Sequence, residues 1–238
     1  MAGRYGQKPS IVVQASPIDH RPGIIRFCPF RLQAYAAVST PALAEGESAE
    51  LAPMITEPIQ LKLRPFSQTD FGRLISWVST PETLGQWCAA FFRYPLDEDQ
   101  LQRYLDSASQ PNVRTIFTAL APSGEAVGHI EVSMIWPHLS SRLSRIIVAP
   151  GRRGEGVGGA MVASAAAFSF ETHHVARIDL GVAAENAVAI ACYRRQGFDH
   201  VGTWPQAIRM GRQTIDVCWM TLIRTDRARS LAADAASG

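Results

Sequence analysis

Along the middle of the chain, apolar and polar positions recur with two distinct periods. From Ile59 to Phe66 they alternate one by one, the pattern of a strand with one buried face. Ser67 and Thr69-Asp70 then supply helix-start chemistry, and Phe71, Leu74, Ile75 and Val78 fall at helical spacing. Further helices are predicted over 84–92 and 97–105, followed by strands over 114–120, 126–136 and 144–149. Pro122-Ser123-Gly124-Glu125 is a turn between the first two of these strands, so they should form an antiparallel hairpin. A helix over 156–172, a strand over 177–182, a helix over 186–196 ending at Gly197, and strands over 198–203 and 214–222 complete the pattern. Strands interleaved with helices in this order imply a mixed sheet with helices on its faces, α/β or α+β by class.

Residues 1–55 read differently. Six prolines (9, 17, 22, 29, 41 and 53) punctuate the segment, and no sustained period survives between them. It is expected to be an irregular N-terminal extension with at most one short Ala/Glu-rich helix over 42–52, or an upstream stretch before a start at Met54. Residues 226–238 read as a frayed tail, leaving 56–225 as the domain.

Composition narrows the class. Hydrophobic residues make up 47% and charged residues 18%, ordinary for a chain with a real core. A net charge of +2 argues for neither a nucleic-acid nor a membrane partner. Cys28, Cys88, Cys192 and Cys218 are scattered, with the spacing of neither a metal site nor a disulfide framework, so no metal is expected and a cytoplasmic location is the default. No run of about 18 apolar residues is present, and the start lacks the apolar stretch of a secretory signal.

The chemistry concentrates after Ile146-Ile147-Val148, where Ala149-Pro150-Gly151-Arg152-Arg153 leads into Gly154-Glu155-Gly156-Val157-Gly158-Gly159. A strand that runs through glycines into a helix offers unpaired N–H groups and the positive end of the helix dipole. Glycine lets a pyrophosphate approach that backbone, and Arg152 and Arg153 add charged donors. A nucleoside-triphosphate loop would end in Gly-Lys-Ser/Thr, whereas Gly159 is followed by Ala160-Met161. A dinucleotide fingerprint is the nearer rival, because residues 154–159 satisfy its glycine spacing and Asp179 stands where a ribose-binding acid is expected. Against it, five residues separate Val148 from Gly154, and antiparallel strand signals precede the turn. Glycines that merely allow close helix packing are the structural alternative.

At these residues the sequence resembles the GCN5-related N-acetyltransferase (GNAT) superfamily. Val148-x-Pro150-x-x-Arg153-Gly154-x-Gly156-Val157-Gly158 is similar to its acetyl-CoA signature, and Asn186-Ala187-x-Ala189-x-x-x-Tyr193-x-x-x-Gly197-Phe198 to its second one. The opening stretch from Leu61 to Phe66 with Asp70, together with Trp77 and Trp87, is similar to the RimJ/RimL-like branch, which acetylates ribosomal-protein N-termini. The resemblance covers about 56–225. It implies a mostly antiparallel, twisted sheet and acetyl-CoA as co-substrate. It also implies backbone contacts from Ile146 and Val148 to the pantetheine, a pyrophosphate wrap by Arg153, Gly154, Glu155, Gly156, Val157 and Gly158, and a pantetheine bond from Asn186. Tyr193 would lie near the thiol, and the protein would be a monomer or homodimer.

A phenol within reach of the sulfur can protonate the departing thiolate, which makes Tyr193 the candidate general acid. Cys192 is its neighbour, but adjacent helical side chains point about 100° apart, so a core role is expected for it. For the general base the family's Glu position falls on Gly181. Glu131 is the chosen substitute, since a carboxylate on a core strand can have a raised pKa. His138, Asp179, Glu185 and a water relay remain open.

The resulting expectation is transfer of acetyl from acetyl-CoA to a primary amine, on a peptide N-terminus or a small molecule, by direct attack. A non-catalytic acyl-CoA-binding module and a nicotinamide-dinucleotide enzyme are the alternatives.

Overall fold

The computed structural model describes residues 59–108, 113–135, 139–210 and 213–224. The extension, its short helix, the tail and the candidate His138 lie outside these residues.

β1 (Lys62–Pro65) pairs antiparallel with β2 (Arg114–Leu120), and β2 with β3 (Ala126–Ile135) across the Ser123-Gly124 turn. The helix-start signal before Phe71 proves to be a brace as well. Asp70 accepts the Ser67 N–H (3.1 Å), both arms of Arg64 (2.7 and 2.6 Å), and the hydroxyl of Thr118 on β2 (3.0 Å). Three short helices follow: α1 (Phe71–Trp77), α2 (Pro81–Cys88) and α3 (Glu98–Asp106). Thr80 caps α2 through the Thr83 N–H and Asp97 caps α3 through the Gln100 N–H, each leaving one fewer orphan donor.

The first strands of the sheet are buried on both faces. Successive strand residues point to opposite sides, so Ile116 packs with Phe71, Leu74, Leu101 and Tyr104 under α1–α3, while Phe117 packs on the other side. That other side is covered by α4 (Val157–Thr172), whose Val157, Met161, Val162 and Ala165 meet Ile130, Leu143, Ile178 and Leu180. α4 carries no charge before Glu171 and is apolar nearly all round, as a helix in a core should be. Each fully buried Ile, Leu or Met contributes on the order of 1.5–3 kcal/mol.

β4 (Ser140–Val148), β5 (Arg177–Ala183), α5 (Ala187–Arg195), β6 (Asp199–Met210) and β7 (Gln213–Ile223) complete the order β1-β2-β3-β4-β5-β7-β6. Among the described strands only β4 and β5 pair in parallel. Two strands outrun their expected bounds by four residues or more. β4 begins at Ser140, four residues before its expected start, because its first residues pair with both β3 and β5 and bury Ser140 and Ser141. β6 runs past Thr203 to Met210 and keeps Pro205, which an edge strand tolerates.

Candidate active site

β4 and β5 stay together only for Ser140↔Arg177, Ser141↔Ile178 and Arg142↔Asp179. Beyond that β5 continues beside β7 as far as Ala183↔Val217, so from Leu143 onward the two parallel strands part. A bulge accompanies the parting. His129 pairs with Ile147 and Glu131 with Ser144, leaving Arg145 and Ile146 opposite Ile130 alone. Arg145 takes a left-handed backbone (φ 49°), which bends β4 at that point.

The strain is held from both sides. Trp87 on α2 donates its indole N–H to the Arg145 carbonyl (2.8 Å). The Arg145 guanidinium donates to Glu131 through Nε (2.8 Å) and Nη2 (3.1 Å). Glu131 also accepts the hydroxyls of Tyr104 (2.7 Å), Ser133 (2.6 Å) and Ser144 (3.2 Å), with Arg114 Nε at 3.1 Å. It is 0% exposed. Both carboxylate oxygens are committed to fixed donors, and Glu131 is absent from the cleft wall, so the arrangement offers no lone pair to an incoming amine.

The space between the parted strands is a cleft of about 660 Å³, bounded by Ser144 and Ile146 on one side and by Leu180 to Ala183 on the other. Asn186, Tyr193, Trp87 and Glu185 also line it. Asn186 caps α5, its side-chain oxygen accepting the Ala189 N–H (3.1 Å), which leaves its NH2 group to donate elsewhere. Tyr193 is half-buried, and burial, with a smaller contribution from Cys192, pushes its phenol up, so it is neutral and can donate at physiological pH. Cys192 packs instead against Gly158 and Gly159 of α4.

The glycine turn follows Val148. Pro150–Arg152 form a short 3-10 turn, then Gly154 (φ 83°) and Gly156 (φ 84°) take left-handed conformations that cost other residues roughly 1–2 kcal/mol. Nothing lies within 4 Å of a Cβ placed on Gly154, and Gly156, the N-cap of α4, makes no side-chain bond to the helix's first N–H groups. The two arginines differ. Arg152 is paired with Glu125 (3.1 Å) and Glu155 (3.0 Å), whereas Arg153 reaches the Val148 carbonyl (3.4 Å) and has no carboxylate within ion-pair distance among the described residues. Glu155 therefore acts as the partner of Arg152.

Gly181 lines the cleft at the place where the family's Glu would stand, and a Cβ there would meet Val217 Cγ1 at 3.1 Å and Trp219 at 3.4 Å. Asp179 is elsewhere, accepting Thr221 Oγ1 (2.8 Å) and Arg177 (3.1 Å), and it is not part of the cleft. Two exposed carboxylates do line the cleft, Glu185 and Glu82. Glu82 and the Arg145 bulge escape sequence reasoning. An arginine inside the apolar run Leu143–Val148 is the one signal that points to the bulge.

Among the described residues no helix is long and apolar enough to cross a membrane, and no group of His, Cys, Asp and Glu is disposed to hold a metal ion.

Residues 81–198, from α2 through α5, match the Acetyltransferase (GNAT) family. The fold is similar to that of spermidine N-acetyltransferase from Vibrio cholerae in complex with CoA and spermine. That likeness has a TM-score of 0.62 and 23% identity over 70% of this chain and 96% of the other. A chimera of the Vibrio cholerae enzyme with hSSAT matches with a TM-score of 0.60 and 22% identity over 70% and 97%. A dodecameric structure of the Vibrio cholerae enzyme in an intermediate state matches with a TM-score of 0.59 and 22% identity over 71% and 96%.

Proposed function

Because the chain belongs to the acetyltransferase (GNAT) family and is an acetyl-CoA-dependent N-acetyltransferase, we propose that residues 56–225 form its catalytic domain and that the acceptor is a small cationic amine of the polyamine class. The observation that carries this reading is the cleft between β4 and β5. It brings Asn186 and Tyr193 beside the parted strands, and the glycine turn follows directly from the end of β4.

Acetyl-CoA supplies a thioester carbonyl and a thiolate leaving group. In this reading the N–H groups that open α4, with Arg153, hold the pyrophosphate, and Gly154, Gly156, Val157 and Gly158 give it room. Backbone groups of Ile146 and Val148, freed from β5 by the parting of the strands, orient the pantetheine, with the Asn186 NH2 group beside them. Tyr193 gives its proton to the departing sulfur and regains one from solvent. The acceptor ammonium must lose one proton before attack, and its nitrogen loses a second as the C–N bond forms and the C–S bond breaks. We assign both to solvent at the cleft mouth, where Glu185 and Glu82 draw the cation in. Glu131 is a positioning residue in this scheme, holding Arg145 and hence the bend of β4.

Glu82 and Glu185, with Gln86 and Gln213, give the cleft a polar and acidic rim suited to a flexible cation. The similar proteins are spermidine N-acetyltransferases, which supports the same class. The resemblance to the ribosomal-protein branch rests on Leu61 to Phe66, Asp70, Trp77 and Trp87, with Arg64 and Asp70 among its charged members. Here those two side chains brace β1 to β2 and α1, a role that carries no information about an acceptor. Cytoplasmic location and a monomeric or homodimeric state are part of the proposal.

The test is thiol-release kinetics with spermidine, spermine, small monoamines and N-terminal peptides at matched concentration. Turnover of polyamines above peptides is expected. Turnover of peptides alone would overturn the acceptor assignment, and turnover that survives Tyr193→Phe would overturn the general-acid assignment.

A further inference from the structure

A second pocket, of about 850 Å³, opens between α3 and the segment that joins it to α2, and it shares no lining residue with the acetyl-transfer cleft. Two exposed aromatic rings form part of it, Phe91 at 48% and Tyr94 at 49% exposure. Large apolar rings left in water beside a concavity are the usual mark of a ligand or partner site.

The charge at this pocket is one-sided. Arg93 from the connecting segment, Arg103 from α3 and Arg114 from β2 line it, against the single carboxylate of Asp97. That carboxylate is engaged in capping α3, accepting the Gln100 N–H (2.8 Å) and the Gln100 side-chain amide (3.1 Å). Behind the wall, Arg145 and Glu131 offset one another.

Arg114 is held in place before any ligand arrives. Its Nε lies 3.1 Å from Glu131, Nη1 donates to Ser107 (2.8 Å), and the guanidinium stands 5.7 Å from the ring of Phe91 and 5.9 Å from that of Tyr104. A rigid guanidinium next to flat apolar faces recognises a planar anion better than a flexible ammonium does, because less freedom is lost on binding.

We propose that this pocket is a second ligand site, which takes a small aromatic carboxylate and is independent of the acetyl-CoA cleft. The ring of the ligand lies against Phe91 and Tyr94, and its carboxylate faces the arginines. The excess of positive groups selects against the cationic acceptors that the other cleft attracts, so the two sites discriminate by charge.

Calorimetric titration of the full chain with benzoate, in saturating CoA, tests the assignment, with benzyl alcohol and benzylamine as neutral and cationic controls. Benzoate should bind in the presence of CoA, and both controls at least tenfold more weakly. The double variant Arg93→Ala/Arg103→Ala changes two exposed side chains that do not touch Glu131. It should weaken benzoate at least tenfold while the melting temperature and spermidine turnover stay as in the parent. The Arg93→Gln/Arg103→Gln variant, which keeps side-chain bulk, should behave alike. Absence of benzoate binding, equal affinity for benzyl alcohol, displacement by CoA, or indifference to both double variants would each overturn it.

Discussion

Arg145 holds Glu131 through two hydrogen bonds, of 2.8 and 3.1 Å, from a left-handed backbone position in the middle of β4. The pair lies behind the point where β4 has left β5, so a buried ion pair fixes the backbone that forms one wall of the cleft. Removing one partner of a buried pair leaves an uncompensated charge and costs roughly 3–5 kcal/mol. Glu131→Ala should therefore lower unfolding free energy by about that amount, measured by urea denaturation, and should raise KM for acetyl-CoA. If Glu131→Ala unfolds like the parent and loses only turnover, Glu131 is a base after all and the positioning role fails.

Tyr193 faces the cleft as a neutral phenol. Tyr193→Phe removes the proton and keeps the ring, so kcat should fall by about 10²–10⁴ while CoA affinity is unchanged. Single-turnover kinetics with calorimetry of CoA binding separate the two quantities. Loss of CoA affinity with unchanged kcat would assign Tyr193 to binding alone.

Gly156 begins α4 at φ 84°. A side chain there is strained by roughly 1 kcal/mol and stands beside the proposed pyrophosphate site. Gly156→Ala should raise KM for acetyl-CoA about tenfold or more, whereas Gly151→Ala, with open space around its Cβ and no positive φ, should leave it within twofold. Equal behaviour of the two variants would move the pyrophosphate elsewhere.

Acid should destabilise the protein in two stages. Burial, reinforced by the charge of Arg145, lowers His129 from 6.5 to about 3. The unfolded chain therefore takes up that proton first, and stability is lost as pH falls from about 6.5 toward 3. Burial alone would push Asp70 up, but the Arg64 pair, the Ser67 N–H and the Thr118 hydroxyl outweigh it and hold the carboxyl at about 2. Its contribution, on the order of 2 kcal/mol, is present above the unfolded value near 4 and is lost as pH falls toward 2. Urea midpoints measured from pH 7 to pH 3 should decline throughout, and His129→Gln should flatten the upper part of that decline. A parent midpoint that stays constant between pH 7 and 5 rules out the His129 contribution.

Glu82 and Glu185 are both exposed at the cleft, so their attraction for a cation is weak and screened by salt. Glu82→Gln/Glu185→Gln should raise KM for spermidine about threefold to tenfold at low ionic strength, with the difference fading at high salt and KM for acetyl-CoA unchanged. A KM for spermidine insensitive to both charge removal and salt would place acceptor recognition elsewhere.

Local signals carried the sequence reading a long way. Helix starts at Ser67 and Asn186, the turn at Gly124 and the helix end at Gly197 all depend on neighbours in the chain, so their chemistry is legible without a fold. The form of the glycine turn was legible for the same reason, since glycines with positive φ followed by a helix are a local structure. The Arg145 bulge, the commitment of Glu131 to two arginines and the place of Glu82 on the cleft wall depend on residues far apart in sequence. Glu131 illustrates the difference. On a core strand a carboxylate can be left to act or be tied to partners, and only the packing of α3, β2 and β4 around it decided for the partners. The sequence by itself determined the order of elements and the local form of the glycine turn. Tertiary structure decided which charges neutralise one another and which are left at the cleft, because burial and pairing belong to the packed chain.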